Sequence, residues 1–323
     1  MDNLTHSLIG VALSRAGLNR VTPHATAMLL LATNLPDLDI VSLVGGELTY
    51  LDLHRNLTHG FAMAPFLALL PVLLFRYGLG RPIPWLGGWL ISLAGVLSHL
   101  GLDFVTVYGT RLASPFSSNW YQWPVLFIFD AVLFLILLLA VAGPALSKLV
   151  AGEIGAKPST GRGWAIFALI FVFSWIGGRG ILHARAHQML TSRVQQGATP
   201  LRVMALPDSF SPFKWRGLVE TEGYFAVHQL NTLFDFDPEE GLLLRKPQQL
   251  EVVQAAKRSA ALQRFLRFSQ WPVWHIVPLD EPPGAQSVQV FDLRFSDDAT
   301  AFKAVVDLDA TGRILRESFH IRP

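Results

Sequence analysis

The chain has 323 residues, 51% hydrophobic and only 15% charged, with a mean hydropathy of +0.38. A soluble domain carries about 25% charged residues, so the composition excludes intrinsic disorder and disfavours a purely soluble enzyme. The net charge of +2 excludes a polybasic nucleic-acid binder, and the lack of cysteine excludes disulfides, thiolate metal sites and a cysteine nucleophile.

The charge is unevenly spread. Residues 1–182 hold 10 Lys/Arg and 8 Asp/Glu, whereas the shorter stretch 183–323 holds 16 of each. The first part reads as membrane and the second as a soluble domain. Met1-Asp2-Asn3 lacks the basic start of a signal peptide. A spanning helix needs roughly 20 mostly apolar residues. Residues 7–18 fall short of that. Residues 25–44 are broken by Asn34-Leu35-Pro36-Asp37-Leu38-Asp39. Both are expected as short helical segments packed against the spans, because broken pieces persist at membrane depth only where protein buries them. Four full spans are expected at 61–77, 83–102, 125–146 and 164–182.

Arg15 and Arg20, Arg76 and Arg81, and Lys148, Lys157 and Arg162 fall in alternate loops. The positive-inside rule makes those loops cytoplasmic. It puts the 45–60 and 104–123 loops, and everything after Leu182, outside. Trp120, Tyr121 and Trp123 fit an aromatic belt on that face. After a juxtamembrane linker at 183–200, strand-like runs occupy 201–206, 218–230, 273–279, 288–295 and 301–308. Asp309-Ala310-Thr311-Gly312 is a hairpin turn into 314–321, and 248–268 has helical period. The fold class is thus a polytopic α-helical membrane domain (1–182) with four full spans and two short N-terminal helical segments. A small α+β, mostly antiparallel, extracytoplasmic domain follows (201–323).

Chemistry concentrates at one end of the hydrophobic segments. His6 opens the first helix after Thr5, an N-cap residue type. Asp37 and Asp39 follow the helix-breaking Pro36. His54 and His59 flank Arg55-Asn56-Leu57-Thr58 before a span. His99 and Asp103 lie four apart at a span's end and share one helix face. Asp130 lies at the next span. On the alternating topology all of these reach the outer side. Singly each has a plain explanation as a cap, a solvated loop residue or an ion pair, Asp130 with Arg111 for example. Their common side argues otherwise, since ionisable groups at membrane depth are costly and mark function. Imidazole with carboxylate is the ligand set of zinc, manganese or iron, in one or two ions. Arg55 and Arg111 suit a phosphate. His183 and His187 are better read as facing lipid headgroups, and His24 falls on the inner side. No HExxH, P-loop, GxSxG or GxGxxG occurs.

These motifs resemble a family: the YdjM-like, LexA-regulated, membrane-bound metal-dependent hydrolases of bacteria. The match runs through Met1-Asp2-Asn3-Leu4-Thr5-His6-Ser7, the Asn34 to Asp39 motif and His54-Arg55-Asn56-Leu57-Thr58-His59-Gly60. It continues through His99-Leu100-Gly101-Leu102-Asp103, Tyr108-Gly109-Thr110-Arg111-Leu112, Pro115-Phe116-Ser117 and Phe129-Asp130. Pro212-Phe213-Lys214-Trp215-Arg216 resembles the start of the tail of longer members. The resemblance implies a metal-dependent hydrolase of the inner membrane. The order of His, Asp, His and HxxxD is also similar to zinc-dependent phospholipase C and related single-strand nucleases. Those proteins carry further His and Glu ligands, for which this chain offers only Asp130, His183 and His187.

The expected function is hydrolysis of a phosphoester-type bond in a lipid or lipid-linked substrate at the outer interface. His6, Asp37, Asp39, His54, His59, His99, Asp103 and Asp130 would hold the ions. Asp37 or Asp39 would serve as base and Arg55 and Arg111 as anion contacts. Nucleic acid is not expected as a partner; the C-terminal domain is expected either to cap the site or to bind an envelope protein. Two rivals remain: an envelope scaffold with a structural metal, and a divalent-metal or proton transporter. The latter needs polar residues through the whole membrane thickness, and 66–75 and 132–139 are apolar.

Overall fold

The computed structural model describes residues 1–154, 161–193, 197–298 and 302–320. Lys157, expected on the inner side, lies outside the described residues. Contacts divide the chain into two units: residues 1–39, 55–184 and 207–213, and residues 40–54, 185–206 and 214–323.

The first unit is helical. α1 (Asn3–Ala16) starts two residues before His6's expected cap. Asp2, not Thr5, is the N-cap. Its carboxylate accepts the Thr5 amide and hydroxyl at 2.9 and 2.6 Å, the preferred chemistry for orphan N–H groups. α2 (Ala25–Ala32) stops where Pro36 removes a donor and forces a 3₁₀ stretch, Pro36–Gly45. A short turn, Leu57–His59, leads into α4 (Ala64–Leu73), which ends in one π turn, Leu74–Gly78. α5 (Trp85–Phe104), α6 (Ala131–Ile154) and α7 (Arg162–Thr191) complete the helices of this region.

Among the described residues, α5 and α7 are long and apolar enough to cross a membrane. Two bent pairs raise the number of candidate spans to four: α2 with Pro36–Gly45 (47°) and Glu47–His59 with Ala64–Gly78 (84°). Two of the four expected spans therefore take another form. The run at 61–77 starts after a near right-angle break. There Gly60 passes so close to the Ser114 carbonyl that a Cβ would sit 2.3 Å from its oxygen. The run at 125–146 becomes helical only at Ala131. Val125 and Leu126 instead donate their amides to Val105 O at 3.1 and 3.0 Å, and Asp130 then caps the helix by accepting Leu133 N at 2.9 Å.

Two apolar clusters flank the end of α5 that carries His99 and Asp103. One joins Ala32, Ala64, Leu67, Val96 and Leu100. The other joins Ile9, Leu102, Val105, Leu126, Leu133 and Leu137 among its members. At the far end of α1, Arg15 donates to Val141 O (2.6 Å) and Arg162 to Ala16 O (3.1 Å). These two cations, expected on the inner side, thus meet backbone carbonyls there, away from His6.

The second unit contains two antiparallel sheets. β1 (Arg202–Pro207), β2 (Lys214–Glu220), β3 (Tyr224–Asn231) and β4 (Leu242–Arg245) form one; β5 (Pro272–Pro278), β6 (Gln286–Asp292), β7 (Lys303–Leu308) and β8 (Ile314–His320) form the other. The single run expected at 218–230 is a hairpin, turned where Thr221 N donates to Tyr224 O. The helical run at 248–268 is two helices, α8 (Leu250–Ala256) and α9 (Ala260–Phe268). They part at Ser259, whose hydroxyl caps α9 by accepting Leu262 N. Leu262, Phe265 and Phe268 bury one face of α9, the i, i+3, i+6 spacing of an amphipathic helix. α3 (Glu47–Leu53), although it lies early in the chain, packs on α9 and β8.

Candidate metal centre

His99 and Asp103 leave the last turn of α5 side by side, as their i, i+4 spacing dictates. The Leu57–His59 turn brings in His59, and the stretch after Pro36 brings in Asp37. One ligand atom from each of the four lies within 4.8 Å of every other. His59 Nε2 is 3.2 Å from His99 Nε2 and 3.2 Å from Asp103 Oδ2. His99 Nε2 is 3.4 Å from Asp103 Oδ2, and Asp37 Oδ1 is 3.5 and 3.6 Å from the His59 and His99 nitrogens. His59, His99 and Asp103 are buried; the Asp37 side chain, 15% exposed, is the open side.

The surrounding hydrogen bonds set the tautomers. His99 Nδ1 donates to Thr33 O at 2.7 Å, which leaves its Nε2 as a lone pair. Thr58 donates its hydroxyl to Asp39 Oδ2 at 3.1 Å and sits 3.1 Å from His59 Nδ1, with Asp39 Oδ2 at 3.5 Å. His59 Nδ1 therefore donates outward too, and its Nε2 faces inward. Two imidazole lone pairs and two carboxylate oxygens then converge, which is repulsive without a cation among them. Asp103 Oδ2 and both ring nitrogens of buried His6 complete no hydrogen bond. The five separations match the edge of a tetrahedron of about 3.4 Å expected for donor arms of about 2.1 Å. The residues present fit a divalent ion.

Other expected site residues are arranged around this group. His6 stacks on His99 at 3.8 Å, with its Nε2 3.4 Å from Asp103 Oδ1. Asp39 lies behind His59 and also accepts the Arg55 amide at 2.9 Å. Arg55 directs Nη2 to Asp103 Oδ1 (3.1 Å) and Nη1 to Thr106 and Gly109 O (3.2 and 3.4 Å), and it lies over the Tyr108 ring. It is buried beside a ligand rather than presented to an anion. The Met1 amino group also contacts Asp103. Arg111 lies over the Trp120 ring. Asp130 is outside the four-residue group: besides capping α6 it accepts the Trp175 indole N–H at 3.3 Å, a structural role that accounts for both oxygens. His54 falls in the second unit, where its ring stacks on Tyr50. Sequence reasoning missed Thr33 and Thr58. Thr33 adjoins the Asn34 to Asp39 motif and Thr58 lies within the His54 to Gly60 motif, and that placement was the available signal.

Fold and site together define a helical membrane protein with a buried His/Asp cluster able to hold a metal ion. The model of the YdjM inner membrane protein family matches residues 1–186, and the chain belongs to that family. The model of the YfhP C-terminal alpha/beta plait domain matches residues 251–322. A curated relative, the uncharacterized protein YfhP of Bacillus subtilis (strain 168), is 29% identical over 151 residues, 44% of this chain and 46% of YfhP. The aligned stretch thus spans about half the length of that relative. No solved structure matches.

Proposed function

We propose that the protein is a membrane-embedded, metal-dependent hydrolase acting on a phosphoester-type bond of a lipid or lipid-linked substrate at the outer face of the membrane. The observation that carries this is the convergence of His59, His99, Asp37 and Asp103 at 3.2 to 3.6 Å with their ring lone pairs turned inward. A divalent ion, zinc or else manganese or iron, would supply a water nucleophile near neutral pH and polarise the phosphoryl group. The chain's own residues prepare the site. Thr33 O and Thr58 orient the two imidazoles, Arg55 offsets the charge of Asp103, and the apolar packing under α5 excludes bulk water. Asp37, the exposed member, is positioned to take a proton from an entering water. Exposed Leu4, Leu38, Leu57, Phe61 and Phe116 adjoin the site segments, which supports a substrate with acyl chains. The second unit would serve an envelope partner.

A second reading has its own support: four protein ligands can close a tetrahedral site, as a structural ion in a scaffold would require. The partial exposure of Asp37 favours the hydrolase instead, because that ligand would be the one to yield its place to an entering water. Phospholipid and lipid-phosphate hydrolysis by detergent-purified protein, wild type beside Asp103→Asn, separates the two. Turnover lost in the variant supports the hydrolase; tight metal without turnover on any phosphoester favours the scaffold.

A further inference from the structure

The two segments that bring Asp37 and His59 to the metal centre are joined by residues 40–54, and this connection belongs to the second unit. Several observations show how it is held there. α3 packs on α9 and β8, and Leu51 is buried. Asp52 meets Arg267 Nη2 of α9 with both oxygens, at 2.9 and 3.1 Å, and lies 3.4 Å from Arg264 Nε. Arg264 and Arg267 are three apart and so project from one side of α9. By contrast, Ile40, Val41 and Val44 before α3 are exposed, so the stretch before α3 adds no buried apolar anchor. At its end Arg55 takes φ +55°, left-handed backbone that a non-glycine residue holds only where its surroundings enforce it. Its amide is fixed on Asp39.

We propose that Asp52 is a positioning residue: gripped by Arg264 and Arg267, it lets the plait unit hold the ligand-bearing segments on either side of 40–54 ready for the ion. This rests on the metal reading above. A loose connection of this length would have to be ordered when the ion binds, and that cost would appear as weaker affinity; an anchored one is ordered beforehand. Any partner that moves α9 would then change metal affinity through the chain itself.

The test is calorimetric titration of the full-length detergent-purified protein with Mn²⁺ alone, for wild type, Asp52→Ala, Arg267→Ala and the double variant. Each single change should weaken Mn²⁺ binding about threefold to fivefold, the range an exposed ion pair supplies. The double variant should be no weaker than the worse single, because Asp52→Ala already removes the pair that Arg267→Ala removes. Leu51→Ala should weaken binding further. Thermal unfolding of the same samples checks that the plait stays folded. Wild-type affinity in all four variants would overturn the positioning role and leave the metal centre standing. A wild type that binds no ion would remove both.

Discussion

Asp103 and Asp292 are both fully buried carboxylates, one in each unit, and they are satisfied in opposite ways. Asp292 is closed. Arg294 donates its guanidinium and its backbone amide, Ser269 its hydroxyl and Gln270 its amide, at 2.8 to 3.2 Å. Burial alone would push its pKa up, but the Arg294 charge and these hydrogen bonds outweigh burial and hold it below the usual carboxylate value. Asp103 has cations and imidazoles around it, yet Oδ2 completes no hydrogen bond. A buried carboxylate that serves the fold ends in a saturated network. One that leaves an oxygen facing two imidazole lone pairs is arranged for something else to enter.

This contrast can be broken by substitution at either residue. Asp103→Asn should lower metal affinity by about 100-fold or more, beyond the range of an outer-shell change, with the plait's unfolding midpoint unmoved; equilibrium dialysis against Mn²⁺ or Zn²⁺ measures it. Arg294→Met should do the reverse. Leaving Asp292 charged and unpaired costs about 3–5 kcal/mol, visible in urea unfolding of the plait, with metal content intact. Asp39→Asn, which loosens His59 without removing a ligand, should cost about 10- to 100-fold in metal affinity. Asp130→Ala removes a helix cap and the acceptor of the Trp175 indole N–H, about 2 kcal/mol together, and should leave metal binding unchanged; a loss of metal would make Asp130 a ligand after all.

The pH dependence of the plait should be the smallest effect and the clearest in sign. Burial lowers the pKa of His228, only partly offset by its hydrogen bond to the Glu240 carbonyl. As pH falls below about 6.5 the unfolded chain takes up a proton that the folded one refuses, so stability starts to decline. Asp292 has a depressed folded value, so its contribution is complete above about 3.9 and is lost as pH falls through that folded value. Chemical denaturation from pH 8 to pH 3 should therefore show a shallow decline and then a steeper one. Constant stability down to pH 3 would contradict both assignments.

Much of the site can be read from local spacing. His99 and Asp103 share a helix face by their interval alone, and Pro36 announces the break that lets Asp37 leave α2. What spacing does not reveal is direction. Asp37 and Asp39 are two apart and would face the same way in an extended stretch, but they lie on a 3₁₀ segment. There one reaches the imidazole cluster and the other lies behind His59. Arg55 looks like an anion contact in sequence, and only packing shows it turned onto Asp103. In the fold, hydropathy finds apolar runs but not the Gly60 approach that breaks one of them. The strand expected across 218–230 hides a turn at Thr221 because its apolar residues continue on both sides. The docking of α3 on α9 joins residues more than 200 positions apart, which no local pattern encodes.

The most direct measurement is metal content by mass spectrometry of detergent-purified protein, wild type beside His99→Ala. The account predicts at least one equivalent of a transition metal in the wild type, lost in the variant. No metal in either, even after reconstitution with zinc or manganese, would contradict it.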